Sequence, residues 1–449
     1  MSAVASRSSA DVLEALRETR QRTLALVAPL SDDQLEHVYS TLMSPLVWDL
    51  AHIAAFEDLW LVHRYGERSL LHPGLAEVYD ALETPRANRG EVEYLRPEPA
   101  RAYLRDVRSR TLEVIEQRGI GDGLLHELVI RHEQQHNETM LQTIQLARLS
   151  GYELPTAGDL RGPHGHDRGA ARAQDAGAPA DPGSRRHTGL ELIEIPAGEC
   201  SIGAVTEGFA YDNERPSHQV FVDRFAIGRT PVTNAVFLAF VQDGGYRRRE
   251  WWTAAGWAWC QQHEIAAPGA WSEDRCSEWR LGRLERLDPQ RPVTSISWFE
   301  ADAFARAHGA RLPTEAEWEK AASWDPELGR SRAFPWGEEP PVPGLHANLD
   351  HISPGPTRAG SYPAGASPQG ALDMIGEVWE WTASDFHGYP GFVADPYPEY
   401  SQVFFGADYK VLRGGSWATR ARTITPAFRN WDYPQRRQIF AGFRIAEDA

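Results

Sequence analysis

The chain has 449 residues, enough for two or three domains at about 100–200 residues each. Hydrophobic residues make up 42% and charged residues 24%, which is ordinary for a folded protein and excludes global disorder. The formal net charge of −17 repels phosphate backbones, so we expect no nucleic-acid partner.

The sequence also bears on the membrane and redox environment. No apolar run approaches the roughly 20 residues that a membrane-spanning helix needs, and the first ten residues lack the apolar core of a signal peptide. Three cysteines are too few for a disulfide scaffold at this length. We therefore expect a cytoplasmic protein with no membrane partner, either a monomer or a small homo-oligomer.

The first 150 residues have the apolar periodicity of helices. Apolar positions recur at spacings of three and four in four long segments, Asp11–Val27, Leu46–His63, Ala100–Ile115 and Leu124–Leu149. Ser31 opens a short additional segment, and a long connection covers roughly residues 70–98. This pattern predicts an up-and-down helical bundle over residues 8–154.

The composition changes abruptly after the bundle. Residues 155–189 hold almost no large apolar side chain, so we predict a flexible linker or disordered loop there. From residue 190 to 449, short alternating runs predict strands at 192–198 and 220–225, and helices are predicted at Trp298–His308 and Thr314–Ser323. The second domain is therefore predicted to be of the α+β class.

The sharpest chemical signal is the run RHEQQHNET at residues 131–139, in the fourth predicted helix. His132 and His136 are four residues apart, so a helix places both imidazoles on one face, as two ligands of one metal ion require. The run from His132 to His136 also matches the HExxH helix of zinc proteases. A protease is the weaker hypothesis, because neither the metzincin continuation nor a downstream glutamate ligand follows. A pair of surface histidines is the structural alternative.

A third histidine is available upstream. His52 lies in the middle of a predicted helix, in WDLAHIAAFE at residues 48–57. A lone buried histidine is more often a hydrogen-bonded core residue than a ligand, but this bundle already carries a histidine pair. Three neutral imidazoles on one metal would leave positions open for substrates, a variant of the two-histidine-one-carboxylate site of non-haem iron oxygenases. Such a site favours an anionic thiolate ligand.

These motifs resemble a known family. A helical bundle with a lone histidine followed by HEQQHNET resembles the DinB-like domain of the ergothioneine-biosynthetic sulfoxide synthases, or hercynine oxygenases. The second domain resembles the formylglycine-generating-enzyme/sulfatase-modifying domain, whose core is similar to a C-type lectin fold. Its marks are IPAG at 195–198, PVTN at 231–234, RLPTEAEWE at 311–319, GEVWEW at 376–381 and RGGSW at 413–417. The closing run FRNWDYPQRRQIFAGFR at 428–444 is similar to the sulfoxide synthases themselves.

The resemblance implies a fold and a set of site residues. The expected fold is a DinB-like four-helix bundle followed by a C-type-lectin-like domain of the formylglycine-generating-enzyme type, which completes the active site. The implied Fe(II) ligands are His52, His132 and His136. The implied hercynine-binding residues are Gln135 for the imidazole, Asn430 for the carboxylate and Trp431 for the quaternary ammonium, the last by cation–π attraction.

The resemblance also implies residues for the thiol donor and for proton transfer. Arg436 is expected to bind a carboxylate of the donor and Asp432 its ammonium group. A further arginine is expected before the third long helix, where Arg86 is the first choice and Arg89 the alternative. A catalytic tyrosine that donates a proton is expected in PYPEYS at residues 396–401, and both Tyr397 and Tyr400 remain candidates.

The function implied by the resemblance is oxygen-dependent C–S bond formation between hercynine and γ-glutamylcysteine, with oxidation of the sulfur to a sulfoxide. Cysteine as the donor, or a selenosugar in a selenoneine synthase, is the close alternative. A DinB-type zinc thiol transferase is a more distant one, and the lectin-like scaffold alone could be a binding module. Formylglycine generation is excluded, because that activity uses a cysteine pair late in the domain and no cysteine follows Cys276.

Overall fold

A computed structural model describes residues 8–155, 185–187 by backbone only, 190–204 and 208–449. These residues form two compact units. The first comprises the described residues of Met1–Gly165, Glu207–Phe209 and Leu281–Arg283, and the second comprises the remainder. Most of the predicted linker at 155–189 lies outside the described residues, so its boundaries and those of the flanking domains stay predictions.

The first unit is helical, as predicted. Its helices are α1 (Ser9–Val27), α2 (Asp32–Glu36), α3 (Leu46–Glu57), α4 (Pro97–Arg118) and α5 (Leu124–Ala147). Short polar side chains define the starts of the first two. The Ser8 hydroxyl accepts a hydrogen bond from the Asp11 amide, and the Asp11 carboxylate accepts one from the Ser8 amide. Ser31 and Gln34 form the same reciprocal cap on α2.

The helix predicted at Leu46–His63 extends two residues further, to Tyr65, and changes from an α-helix to a π-helix along its length. It is α-helical to Glu57 and continues as a π-helix over Asp58–Tyr65. The connection that follows contains 3₁₀ turns at Pro73–Leu75 and Arg86–Asn88. No described helix is both long and apolar enough to cross a membrane.

A charged network lies inside the bundle and joins its four long helices. Arg20 of α1 and Arg108 of α4 each bind both Glu57 of α3 and Glu133 of α5. Both glutamates are fully buried, at 0% and 1% exposure. Burial alone would raise the pKa of Glu57, but Arg108 and Arg20 outweigh burial and lower it to about 2. The two arginines therefore hold Glu57 as a carboxylate.

The second unit combines short strands with short helices. Its helices are α6 (Asn234–Gln242), α7 (Ala254–Gln262), α8 (Trp298–Ala307) and α9 (Glu315–Ser323). The strands begin with β1 (Arg185–His187), β2 (Leu190–Ile195), β3 (Gly198–Ile202), β4 (His218–Val222) and β5 (Phe225–Gly228). The later strands are β6 (Ser277–Arg280), β7 (Arg283–Arg286), β8 (Trp324–Asp325), β9 (Arg330–Ser331), β10 (Trp379–Phe386), β11 (Gly406–Arg413), β12 (Arg429–Asp432), β13 (Ala441–Gly442) and β14 (Ala446–Asp448).

Two four-stranded sheets organise this unit, in the orders β1-β2-β5-β14 and β12-β11-β10-β13. In the second, β12 lies at the edge and pairs antiparallel with β11, with Asn430 opposite Leu412. The helices α8 and α9 are where the sequence predicted them, within a residue at each end. The single strands predicted at 192–198 and 220–225 are each two strands, and α6 and α7 were not predicted.

Candidate metal centre and substrate-binding residues

Three histidines of the first unit meet inside the bundle, as the sequence predicted. His52 of α3 and His132 and His136 of α5 each offer a ring nitrogen, and these three atoms lie within 4.8 Å of one another. The Nε2 atoms of His52 and His132 are 3.1 Å apart. His52 and His132 are 6% and 9% exposed, so the cluster is largely buried but reachable at His136, whose side chain is 17% exposed.

The surroundings of His52 decide which of its nitrogens can bind a metal. Its Nδ1 is 2.7 Å from the backbone carbonyl of Tyr79. A carbonyl only accepts hydrogen bonds, so the proton of the neutral ring is on Nδ1 and the lone pair is on Nε2. Burial, as the largest cause, lowers the pKa of both His52 and His132 well below the usual value. Neutral imidazoles are the form that coordinates a metal ion.

Aromatic rings hold two of the imidazoles in place. Trp48 stacks on His52 with ring centroids 4.9 Å apart, and Phe56 stacks on His132 at 3.7 Å. Both aromatic residues come from α3, four residues before and after His52. The spacing of four puts all three side chains on one face of that helix.

Arg86 and Arg89, the two candidates for binding the thiol donor, have different environments. Arg89 is buried, donates to the Thr84 and Ala81 carbonyls and the Ser44 hydroxyl, and lies 3.8 Å above the Trp48 ring. Arg86 is half-buried, and its side chain forms no hydrogen bond or ion pair with any described residue. The positive charges of both contribute to the lowered pKa of His52. The guanidinium group of Arg89 is therefore occupied by contacts within the protein, whereas the N–H groups of the Arg86 guanidinium are available to a ligand.

Gln135 directly precedes His136 on α5, three residues after His132, and is half-buried. The HExxH glutamate, Glu133, has a different role from the one that motif implies. Its carboxylate accepts hydrogen bonds from Arg20, Arg108 and the Thr23 hydroxyl. A carboxylate bound by two guanidinium groups is a poor general base, which argues against the protease hypothesis.

In the second unit, Asp432 and Arg436, the residues expected to bind the thiol donor, lie close to each other. Arg436 Nε is 3.4 Å from Asp432 Oδ1, and the two side chains are only 15% and 14% exposed. Arg436 Nε and Nη1 have no hydrogen-bond partner among the described residues. Asp432 accepts hydrogen bonds from the Tyr433 amide and from the Gln438 side chain. A guanidinium with unused buried donors is suited to an incoming carboxylate.

The strand β12 separates the side chains of its three predicted site residues. Successive side chains of a strand point to opposite faces, so Trp431 lies on one face and Asn430 and Asp432 on the other. Trp431 stacks on Phe386 at 4.1 Å and has Tyr400 at 6.4 Å. Asn430 Oδ1 accepts a hydrogen bond from the Trp431 amide.

The two candidate tyrosines lie next to each other in the second unit. Tyr400 stacks on Tyr211 at 4.9 Å, and Tyr397 meets Tyr400 edge-on at 6.1 Å. Both are half-buried. Tyr400 therefore lies in one aromatic cluster with Trp431, and Tyr397 lies beside it.

Comparisons with known proteins match both parts of the chain. The family model described as the DinB superfamily matches residues 15–140, and that described as the sulfatase-modifying factor enzyme 1-like domain matches residues 178–449. The formylglycine-generating enzyme of Streptomyces coelicolor is 34% identical over 313 residues, covering 62% of this chain and 96% of that protein. The predicted fold class is confirmed.

Whole-chain relatives are more specific. The hercynine oxygenase of Mycolicibacterium thermoresistibile is 44% identical over 455 residues, covering 100% of this chain and 97% of that protein. That of Mycobacterium tuberculosis is 44% identical over 438 residues, covering 96% of this chain and 97% of that protein.

A helical bundle with a three-histidine cluster, joined to a domain of the sulfatase-modifying type, defines a class of two-domain enzymes with a candidate metal centre. Within that class, the chain belongs to the hercynine oxygenase family, the sulfoxide synthases of ergothioneine biosynthesis.

Proposed function

We propose that this enzyme uses Fe(II) and O2 to join hercynine to γ-glutamylcysteine, with His52, His132 and His136 as the iron ligands. The imidazole carbon between the two ring nitrogens loses its hydrogen, the thiol loses its own, and a C–S bond forms. One oxygen atom of O2 is retained on sulfur as a sulfoxide, and the other leaves as water with the two hydrogens. The observation that carries the proposal is the approach of the His52 and His132 Nε2 atoms to 3.1 Å.

The cluster fits a divalent transition metal. All three ligands are imidazoles, which suit iron as well as zinc and copper, and they leave further coordination positions open. When bound, the Fe(II) ion supplies the electron transfer to O2 that a redox-inert ion such as Zn(II) lacks. Burial lowers the pKa of His52 and His132, which favours their neutral form, and Tyr79 and Trp48 fix the His52 ring.

The residues of the thiol donor's site follow from charge and hydrogen-bonding capacity. We assign Arg436 to a donor carboxylate, because two of its buried nitrogens form no hydrogen bond with the described residues, although Nε is ion-paired with Asp432. We assign Asp432 to the donor's ammonium group. Of the two arginines near His52, Arg86 is the better candidate for a second carboxylate, since Arg89 is occupied by three hydrogen bonds.

Hercynine carries an imidazole, a carboxylate and a quaternary ammonium group. We assign Gln135, beside the metal ligand His136, to the imidazole, and Asn430 to the carboxylate. Trp431 offers an aromatic ring to the quaternary ammonium, although its stacking on Phe386 uses one face of that ring. Either Tyr397 or Tyr400 donates the proton that the reduction of O2 consumes. We place the reaction in the cytoplasm, with these small molecules as partners, no nucleic acid or membrane partner, and a monomer or small homo-oligomer as the assembly.

The decisive experiment is anaerobic reconstitution with Fe(II), followed by addition of hercynine, one donor and air, with mass spectrometry of the products. The expected product has the mass of the two substrates plus one oxygen and minus two hydrogens. Parallel reactions with γ-glutamylcysteine, cysteine and a selenosugar distinguish the donors. Full turnover by a zinc-only preparation would contradict the oxygenase proposal and favour a DinB-type thiol transferase.

The ligand assignment has its own test. His132→Ala and His136→Ala should each lose stoichiometric iron, measured by elemental analysis, while the circular dichroism of the helices is retained. If both variants keep a full equivalent of iron, the metal is bound elsewhere.

A further inference from the structure

Asp49 is a buried carboxylate with no evident structural partner. It lies on α3, three residues before His52, and its side chain is 0% exposed. Neither carboxylate oxygen has a hydrogen-bond partner among the described residues. Leaving an ionisable group dehydrated and unpaired is costly, so such a residue calls for a physical explanation.

One of the three candidate metal ligands lies close to Asp49. Its Oδ1 is 3.3 Å from Nδ1 of His136, and that nitrogen also lacks a hydrogen-bond partner among the described residues. Arg89 interacts with Asp49 through its charge, but its hydrogen bonds go to Thr84, Ser44 and Ala81. No described guanidinium or ammonium group forms an ion pair with Asp49.

We propose that Asp49 is a positioning residue for the metal centre, accepting a hydrogen bond from Nδ1–H of His136. This inference rests on the proposed metal site. A proton fixed on Nδ1 leaves the lone pair on Nε2, the atom that would face the ion. The Tyr79 carbonyl has the same effect on His52, at 2.7 Å from its Nδ1. Two of the three ligands thus have an acceptor that selects the same nitrogen.

The two acceptors differ in charge, and this gives Asp49 a second effect. An imidazole that binds a metal ion is neutral, so three of them would offset none of the charge of a divalent cation. A carboxylate behind one ligand offsets part of that charge and makes the imidazole a stronger donor, as outer carboxylates do at other histidine sites. In the sequence, Asp49 is the one acidic residue of the apolar segment LVWDLAHIAAF at residues 46–56.

The test compares two substitutions at Asp49 with a matched control. Asp49→Asn keeps the size and an accepting oxygen but removes the charge, and Asp49→Ala removes both. Asp58→Asn is the control, because Asp58 is also fully buried in this unit but is bound by the Leu71 amide, Tyr103 and Arg110 instead of by a histidine ligand. Co(II) alone is the probe, with its dissociation constant measured by competition against a chromophoric chelator.

We expect Asp49→Asn to weaken Co(II) binding roughly 10- to 100-fold and Asp49→Ala by at least as much, the usual range for loss of an outer carboxylate. Asp58→Asn should stay within about threefold of the parent. The visible Co(II) absorption should change in the Asp49 variants only. The thermal midpoints of the metal-free proteins show whether each variant is folded.

His136→Ala separates this inference from the proposal beneath it. If His136→Ala loses Co(II) binding but Asp49→Asn binds as tightly as the parent, Asp49 has no positioning role and the metal site stands. If His136→Ala also binds normally, the metal site itself is wrong. Equal losses in Asp49→Asn and Asp58→Asn would show a general effect of buried charge and would overturn the inference.

Discussion

Arg20 Nε lies 2.7 Å from Glu133 Oε1 in the interior of the helical bundle, and both side chains are more than nine-tenths buried. Glu133 is the glutamate of the HExxH motif, the position of the general base in zinc proteases. The same four-residue spacing of histidines thus occurs here with a glutamate that faces the bundle's charged network. The motif alone does not distinguish the two uses, because it records spacing on a helix and says nothing about the neighbouring helices.

Glu133→Gln should therefore destabilise the protein and leave metal binding in place. Removing one carboxylate leaves Arg20 and Arg108 sharing Glu57, and breaking a buried ion pair on one side costs about 3–5 kcal/mol. Urea unfolding of the metal-free protein measures this loss, with Glu14→Gln in the exposed Arg17–Glu14 pair as the control. A fully stable Glu133→Gln variant, together with peptide hydrolysis by the parent that the variant lacks, would restore the protease hypothesis.

Substitutions of Arg86 and Arg89 should have different effects, one on the KM for the thiol donor and the other on the stability of the protein. Arg86→Ala should raise the KM for γ-glutamylcysteine with little change in thermal stability, because the Arg86 side chain has no hydrogen bond to lose within the described residues. Arg89→Ala should lower the unfolding free energy by about 2–4 kcal/mol, since it removes three hydrogen bonds and the stacking on Trp48. The reverse pattern, with stability lost in Arg86→Ala and donor KM changed only in Arg89→Ala, would exchange the two roles.

Arg436 should determine affinity for the thiol donor. Arg436→Ala removes a charged hydrogen bond worth about 1.5–3 kcal/mol, so the KM for γ-glutamylcysteine should rise roughly ten- to a hundredfold. The KM for hercynine should change far less. Arg436→Lys should recover only part of the loss, because an ammonium keeps the charge but not the planar fork. Arg330→Ala, in an exposed pair with Glu338, is the control.

The donor assignment is open to contradiction by the same measurements. If cysteine is the better donor for the parent enzyme and Arg436→Ala leaves its kinetics unchanged, γ-glutamylcysteine is the wrong donor. The metal-site proposal would be unaffected, because it depends on the three histidines.

One of the two candidate tyrosines should be required for coupling. Replacing the proton donor by Phe removes one hydroxyl and little volume, so substrate binding should be retained while sulfoxide formation falls and oxidation of the free thiol increases. Tyr397→Phe and Tyr400→Phe are assayed separately by product mass spectrometry. Tyr39→Phe, which removes a half-buried hydroxyl bound to the Gln34 carbonyl, serves as the control. Normal sulfoxide output from both variants would place the donor outside residues 396–401.

The helical bundle was largely predictable because its signals are local. Apolar periodicity and the reciprocal caps at Ser8 and Ser31 define the helices within a few residues. The winding change at Asp58 was not predictable, because the π-helix is only eight residues long, too short for its own apolar spacing to be recognised. In the second unit, α6 and α7 were missed because short aromatic-rich helices such as AAGWAWCQQ lack a clear polar face.

The site was predictable to the extent that its residues carry family motifs. His52, His132 and His136 follow from a spacing of four and from one histidine in an apolar helix. The choice between Arg86 and Arg89 needed the tertiary structure, because only the fold shows that Arg89 stacks on Trp48. Asp49 was not predicted for the same reason. Its contact with His136 is between two helices that are far apart in sequence, so only the tertiary structure shows it.

His126 should make the bundle sensitive to acid. This side chain is 1% exposed, its two ring nitrogens have no partner among the described residues, and burial lowers its pKa to about 4. Below pH 6.5 the unfolded chain takes up a proton that folded His126 refuses, so stability falls as the pH drops from about 6.5 to about 4. The loss from this residue reaches about 3 kcal/mol.

His126→Leu should remove that contribution and also relieve two unpaired buried nitrogens. The variant should therefore be more stable than the parent by about 1–3 kcal/mol at pH 5, with a smaller gain at pH 8. Urea unfolding of the metal-free proteins across pH 4.5–8 measures the difference. His63→Leu is the control, because His63 lies in an exposed position with its Nδ1 near the Arg68 carbonyl. A stability difference that is independent of pH would mean that His126 titrates normally in the folded protein, and that burial does not set its pKa.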